Sequence, residues 1–77
     1  MSTQTHARVR LLKKKGIEYS VFYRRLNLSQ AQFSMYLNEV RRSVGSPHHH
    51  KFNEEQLQKI NQVAEIMEAA LKMVDKL

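Results

Sequence analysis

The chain has no cysteine and no tryptophan, a single proline at Pro47 and only two glycines, Gly16 and Gly45. Without cysteine there can be no disulfide, no thiolate nucleophile and no thiolate zinc ligand. Seventy-seven residues make one small domain, which buries little apolar surface, so oligomerisation is the expected remedy. No apolar run approaches transmembrane length, and the opening MSTQTHARVR lacks a signal-peptide core. A soluble, cytoplasmic protein without membrane contact is therefore expected. Catalytic signatures are missing as well. There is no phosphate loop, and Glu54, Glu55, Glu65, Glu68 and Asp75 lie along one segment instead of facing each other across a cleft. Neither an enzymatic activity nor a cofactor is expected.

Acidic residues are scarce where basic ones are plentiful. Residues 1–51 hold ten Lys and Arg against only Glu18 and Glu39, a net charge of +8, whereas residues 52–77 hold three Lys against five acids, a net of −2. A basic head (1–51) on a mildly acidic tail (52–77) is the pattern of a polyanion binder with a separate interaction segment.

The head is organised around Ile17–Asn38. A first helix from about Thr5 to Lys15, with Val9, Leu12 and Leu11 as its inward residues, is ended by Gly16. Lys13, Lys14 and Lys15 suit the negative end of its dipole, and could equally reach a phosphate. A second helix, roughly Tyr19 to Leu26, buries Phe22, Leu26 and part of Tyr23. In Leu26-Asn27-Leu28-Ser29 one helix stops and another starts, because Asn27 tolerates the left-handed turn and Ser29 can cap the next helix. Gln32 completes a capping box with Ser29, and Leu28 with Phe33 supplies the hydrophobic staple. The third helix, Gln30 to about Arg41, turns Phe33, Leu37 and Val40 inward. Two short helices joined so tightly must cross steeply, as in a helix-turn-helix.

Ile17, Phe22, Leu26, Leu28, Ser29, Gln30, Phe33, Ser34 and Asn38 carry a resemblance to the helix-turn-helix of the lambda-repressor/Cro-like family of bacterial and phage regulators. The departures are Glu18 for the usual cap, Tyr19 for the usual Gln, Tyr23 for a small Ala and Asn27 for the turn Gly. The resemblance covers about the middle third of the chain. It implies a compact helix-turn-helix of short helices in a repressor that binds a pseudo-palindromic operator. With the long C-terminal helix that the spacing over 53–77 predicts, the expected fold is all-α, three short helices followed by that long one.

The outward face of the third helix fits that implication. Gln30, Ala31, Gln32, Ser34 and Met35 are uncharged and short, unlike a face built only for solubility. Gln can bond adenine, Ser can bond either base edge, and Ala or Met can meet a thymine methyl. These five are the expected base contacts. Tyr19, Ser29 and Lys15 are the expected phosphate contacts, with Asn38 assigned by the resemblance. Arg41 and Arg42 join them, at the start of a basic loop over 41–51 marked by Gly45, Ser46 and Pro47. This loop is expected to act as a flexible arm. The run His48, His49, His50 has no Cys or acidic partner at a zinc spacing, so no metal site is expected.

The last segment repeats the cap-and-staple pattern at Phe52, Asn53, Gln56 and Leu57. Leu57, Ile60, Ala64, Met67, Leu71 and Val74 then keep a 4-3 spacing, which predicts a dimerisation seam whose first turns also close the head's core, the alternative being a helix that folds back within one chain. Val63, Ile66, Ala70, Met73 and Leu77 form a second stripe. Two functions of different class are open. One is a dimeric, sequence-specific regulator of double-stranded DNA. The other is a helix-turn-helix interaction module that sequesters another regulator.

Overall fold

The computed structural model describes residues 2–75; the last helix is expected to run from Asn53 to Leu77, and its end, with Leu77 of the second stripe, lies outside the described residues. The fold is all-α: α1 (Ser2–Lys14), α2 (Ser20–Tyr23), α3 (Gln30–Leu37) and α4 (Glu54–Asp75). α1 begins earlier than Thr5, because Thr5 is buried and exchanges hydrogen bonds with Asn61 of α4 (3.2 and 3.4 Å).

The three short helices end in one way. In α1, the Ile17 N–H bonds the Leu12 carbonyl (3.0 Å) and the Gly16 N–H bonds that of Lys13 (3.0 Å), with Gly16 at φ 102°. After α2, the Leu28 and Asn27 N–H groups reach the Tyr23 and Arg24 carbonyls (3.0 and 3.3 Å), with Asn27 at φ 56°. After α3, the Val40 and Glu39 N–H groups reach the Met35 and Tyr36 carbonyls (3.0 and 3.2 Å), with Glu39 at φ 50°. Each is a Schellman motif, a left-handed residue followed by an apolar one that returns the chain to the helix. The turn at Asn27 is the expected one. That at Glu39 was not legible, and it stops α3 short of Arg41. Beyond it Val40 leaves the helix face and is exposed, not inward.

Both helix starts agree with the sequence reading. Ser29 Oγ accepts the Gln32 N–H (3.1 Å) while Gln32 Oε1 accepts the Ser29 N–H (2.9 Å). The Asn53–Gln56 pair at α4 makes the same reciprocal bonds (2.8 and 2.9 Å).

Val9, Leu12, Phe22, Phe33, Leu37, Phe52, Ile60, Val63 and Ala64 form the core. Phe33 is its hub, with ring centroids of Tyr19, Phe22, Tyr23 and Phe52 within 5.5–6.3 Å. Burying each of the two phenylalanines of the α2–α3 pair contributes roughly 1.5–3 kcal/mol. Leu11 faces solvent. α1 lies along α4, held on its polar side by the Arg8 guanidinium, which donates to both Glu68 oxygens (2.6 and 2.7 Å). That pairing holds the Glu68 carboxyl below its ordinary pKa and Arg8 above its own.

Candidate functional site

The capping box and the Phe33 anchor fix which way α3 faces. With Phe33 and Leu37 buried, Gln30, Ala31, Gln32 and Ser34 are all exposed and Met35 is half-buried at the edge of the same face. The face carries no charged side chain. Its polar groups are partly committed, however. Gln32 uses one lone pair of its oxygen on the Ser29 N–H, and its amide N–H₂ has no partner among the described residues. Ser29 uses its hydroxyl oxygen in the same box. Ser34 Oγ accepts from Asn38 Nδ2 (3.3 Å).

Asn38 is held at both ends of its amide. Its Oδ1 accepts from Arg10 Nη2 (3.0 Å), which also donates to the Leu37 carbonyl (3.2 Å). Arg10 therefore caps the last turn of α3 from α1 and places a guanidinium beside the outward face. Sequence reading did not single it out, since no local pattern announces a contact across 28 residues. Its one available signal is periodicity: His6, Arg10 and Lys13 share a flank of α1 beside the buried Val9 and Leu12.

The other expected phosphate contacts divide. Tyr19 is the N-cap position of α2, half-buried against Phe33, with Lys13 Nζ 5.4 Å above its ring and Lys13 itself paired to Glu18 (2.6 Å). Lys15 is exposed but borders a groove with Glu68, Leu71, Lys72 and Asp75 of α4, apart from the α3 face. Arg41 and Arg42 are exposed just beyond α3. Their loop is a closed hairpin, not a flexible arm. The Arg42 N–H bonds the His48 carbonyl (3.0 Å), the His50 N–H bonds that of Val40 (2.8 Å), and Arg41 bridges His49 in antiparallel fashion. His50 stands edge-on to Tyr36 (5.5 Å), which pins the hairpin to α3.

No protein family, curated protein or solved structure matches this chain. Its chemistry is therefore argued from its own residues.

His6 sits behind the α3 terminus. It is buried against Phe52 (5.7 Å), with Nδ1 3.9 Å from Glu39 Oε1 and Nε2 buried without a hydrogen-bond partner among the described residues. Burial holds it below the ordinary histidine pKa. The Glu39 carboxylate opposes that shift, and Arg10 adds to it. Among the described residues no three His, Cys, Asp or Glu side chains are grouped as metal ligands would be, and no helix is long and apolar enough to cross a membrane.

The expected dimerisation seam is largely used within the chain. Ile60 and Ala64 are fully buried in the core, and Leu57, Met67 and Leu71 are half-buried against it. Of the six, only Val74 is exposed. Ile60 and Ala64 are thus core residues, not dimer contacts. A 4-3 spacing specifies that a helix packs along that stripe but not whether its partner is another chain, and α1 and α2 occupy it here.

Proposed function

We propose that this chain is a sequence-specific regulator that binds double-stranded DNA, reading the major groove with α3 and acting as a homodimer on a pseudo-palindromic operator. One observation carries the reading. The outward face of α3 is exposed, free of charge and rigidly aimed by a complete capping box beneath it. A helix start presented in this way suits base edges, since side chains near the N-terminus of a recognition helix enter the groove. The surrounding cations support it. Arg10 at the end of α3 and Arg41 and Arg42 at the base of the hairpin flank that face, in a head of net charge +8 (ten Lys and Arg against two Glu over 1–51). Such charges hold phosphates and carry no sequence information.

A second reading, a protein-interaction module, is favoured by the exposed Ile66, Met73 and Val74 of α4. Selecting bound fragments from random duplexes separates the two. The regulator yields a defined site held at moderate salt, whereas an interaction module yields none. On that site, Arg41→Ala and Arg42→Ala should each weaken specific and random DNA alike and lower the salt slope by roughly one unit. A change in the preferred sequence would instead make the hairpin a base reader.

A further inference from the structure

The turning inward of Ile60 and Ala64 leaves a different face of α4 without a neighbour. Ile66 and Met73 are 58% and 70% exposed, Val74 is 62% exposed, and Ala69 and Ala70 between them are exposed too. Ile66, Ala70 and Met73 lie within about 60° of one another around the helix axis. From Ile66 to Val74 the only charged side chains, Glu68 and Lys72, fall on the opposite side, toward α1. An uncharged stripe of this kind on a chain of net charge +6 is where two copies can approach without repulsion.

One end of the stripe opens into a depression of about 290 Å³ lined by Arg25, Lys59, Gln62, Val63 and Ile66. The other end carries the projecting Met73. Depression and projection lie on one helix face, about equally far from a point between Ile66 and Ala69. That is the arrangement a two-fold axis requires, because each surface must offer both halves of the contact. We infer that a second copy of this chain packs antiparallel on this stripe, the Met73 of each protomer entering the depression of its partner.

Three features choose this occupant and direction. Met73 is flexible enough to fill an irregular hollow, and Ala69 and Ala70 at the axis let the helices approach closely. Antiparallel pairing also brings the cations Arg25 and Lys59 of one copy (Lys59 shared with Glu55 at 3.5 Å) toward the negative C-terminal end of the partner's α4. A parallel pair would set like ends together. The paired length, residues 59–75, is roughly 24 Å. This is short for an interface of standard size, so the dimer belongs in the micromolar range. The stripe is the surface of the dimer proposed above and rests on that reading, but it is tested without DNA, so its failure leaves base reading by α3 untouched.

The absence of native cysteine makes the test direct. In an antiparallel pair position 62 meets position 73 of the partner, whereas the two copies of position 73 lie roughly 16 Å apart along the axis, too far for a disulfide. Under mild oxidation, Gln62→Cys with Met73→Cys should form a covalent dimer and Met73→Cys alone should not. Ile66→Glu should sediment as a monomer at concentrations where the parent is a dimer, and should melt like the parent diluted to where it is monomeric, because Ile66 lies outside the core. A parent that is monomeric at high micromolar concentration, an Ile66→Glu variant that still dimerises, or cross-linking by Met73→Cys alone would each overturn the proposal.

Discussion

Gln32 is asked to do two things, and one substitution separates them. Its Oε1 accepts the Ser29 N–H at 2.9 Å, and its own N–H is held by Ser29 Oγ at 3.1 Å. While the box is closed, the side-chain amide N–H₂ is uncommitted and Oε1 keeps one lone pair. Gln32 can therefore donate to an acceptor such as adenine N7, guanine N7 or O6, or thymine O4. Gln32→Glu keeps the oxygen and both bonds of the box. It also places a negative charge in the first turn of α3, which should hold stability or raise it by about 0.3–1 kcal/mol. The same change deletes the donor and sets a carboxylate against the groove. Affinity for the selected site should fall by about 1–3 kcal/mol, roughly 5- to 150-fold, with altered preference at one or two base pairs per half-site. Gln32→Ala should lose stability and specificity together. The assay is equilibrium binding to the selected duplex and each single-base variant, with chemical unfolding of the same preparations. If Gln32→Glu binds every duplex as the parent does, Gln32 is only a cap. If Ala31 and Met35 substitutions are also silent, α3 does not read bases.

The packing sets three further outcomes. Glu39 occupies a left-handed conformation at φ 50° that disfavours a side chain, so Glu39→Gly should raise the unfolding free energy by about 1 kcal/mol, and a loss would refute the turn. Ile60→Ala, in the core, should cost about 2–5 kcal/mol of a total of roughly 4–12 kcal/mol for a chain this size, whereas Ile66→Ala should change monomer stability by less than about 0.5 kcal/mol; equal losses in chemical denaturation would contradict the placement of α4. Because the folded protein holds His6 below its ordinary value of 6.5, the unfolded chain takes up a proton first as pH falls, so stability should decline from about pH 6.5 down through the lowered folded value. His6→Gln should flatten that decline in thermal melts, leaving the loss below Glu68's ordinary 4.5, where its pairing with Arg8 is released, in place.

Much of this architecture was legible because it is local. Ser29 with Gln32 and Asn53 with Gln56 are three residues apart, so their caps need only the adjacent turn. Gly16 and Asn27 mark left-handed ends because few other residues adopt them cheaply. Val9, Leu12, Phe22, Phe33 and Leu37 lie at helical spacings that leave one inward direction. The outward set Gln30, Ala31, Gln32 and Ser34 comes from the same geometry, as the complement of Phe33 and Leu37. What the sequence left undecided are relations between distant segments. Glu39 carries no sign of a left-handed turn, which is held by the Val40 and Glu39 N–H bonds back to α3 and by the hairpin bond from the His50 N–H to the Val40 carbonyl. Arg10 reaches Asn38, and Arg8 reaches Glu68, only once α1 is laid against α3 and α4. The 4-3 stripe of α4 announced a partner helix without saying whether that helix belongs to the same chain. α1 and α2 take Ile60 and Ala64, because closing a core within one chain carries no cost of association. The second stripe through Ile66, Ala70 and Met73 was legible in the spacing, but that it stays exposed while Ile60 and Ala64 are buried was decided by the tertiary structure.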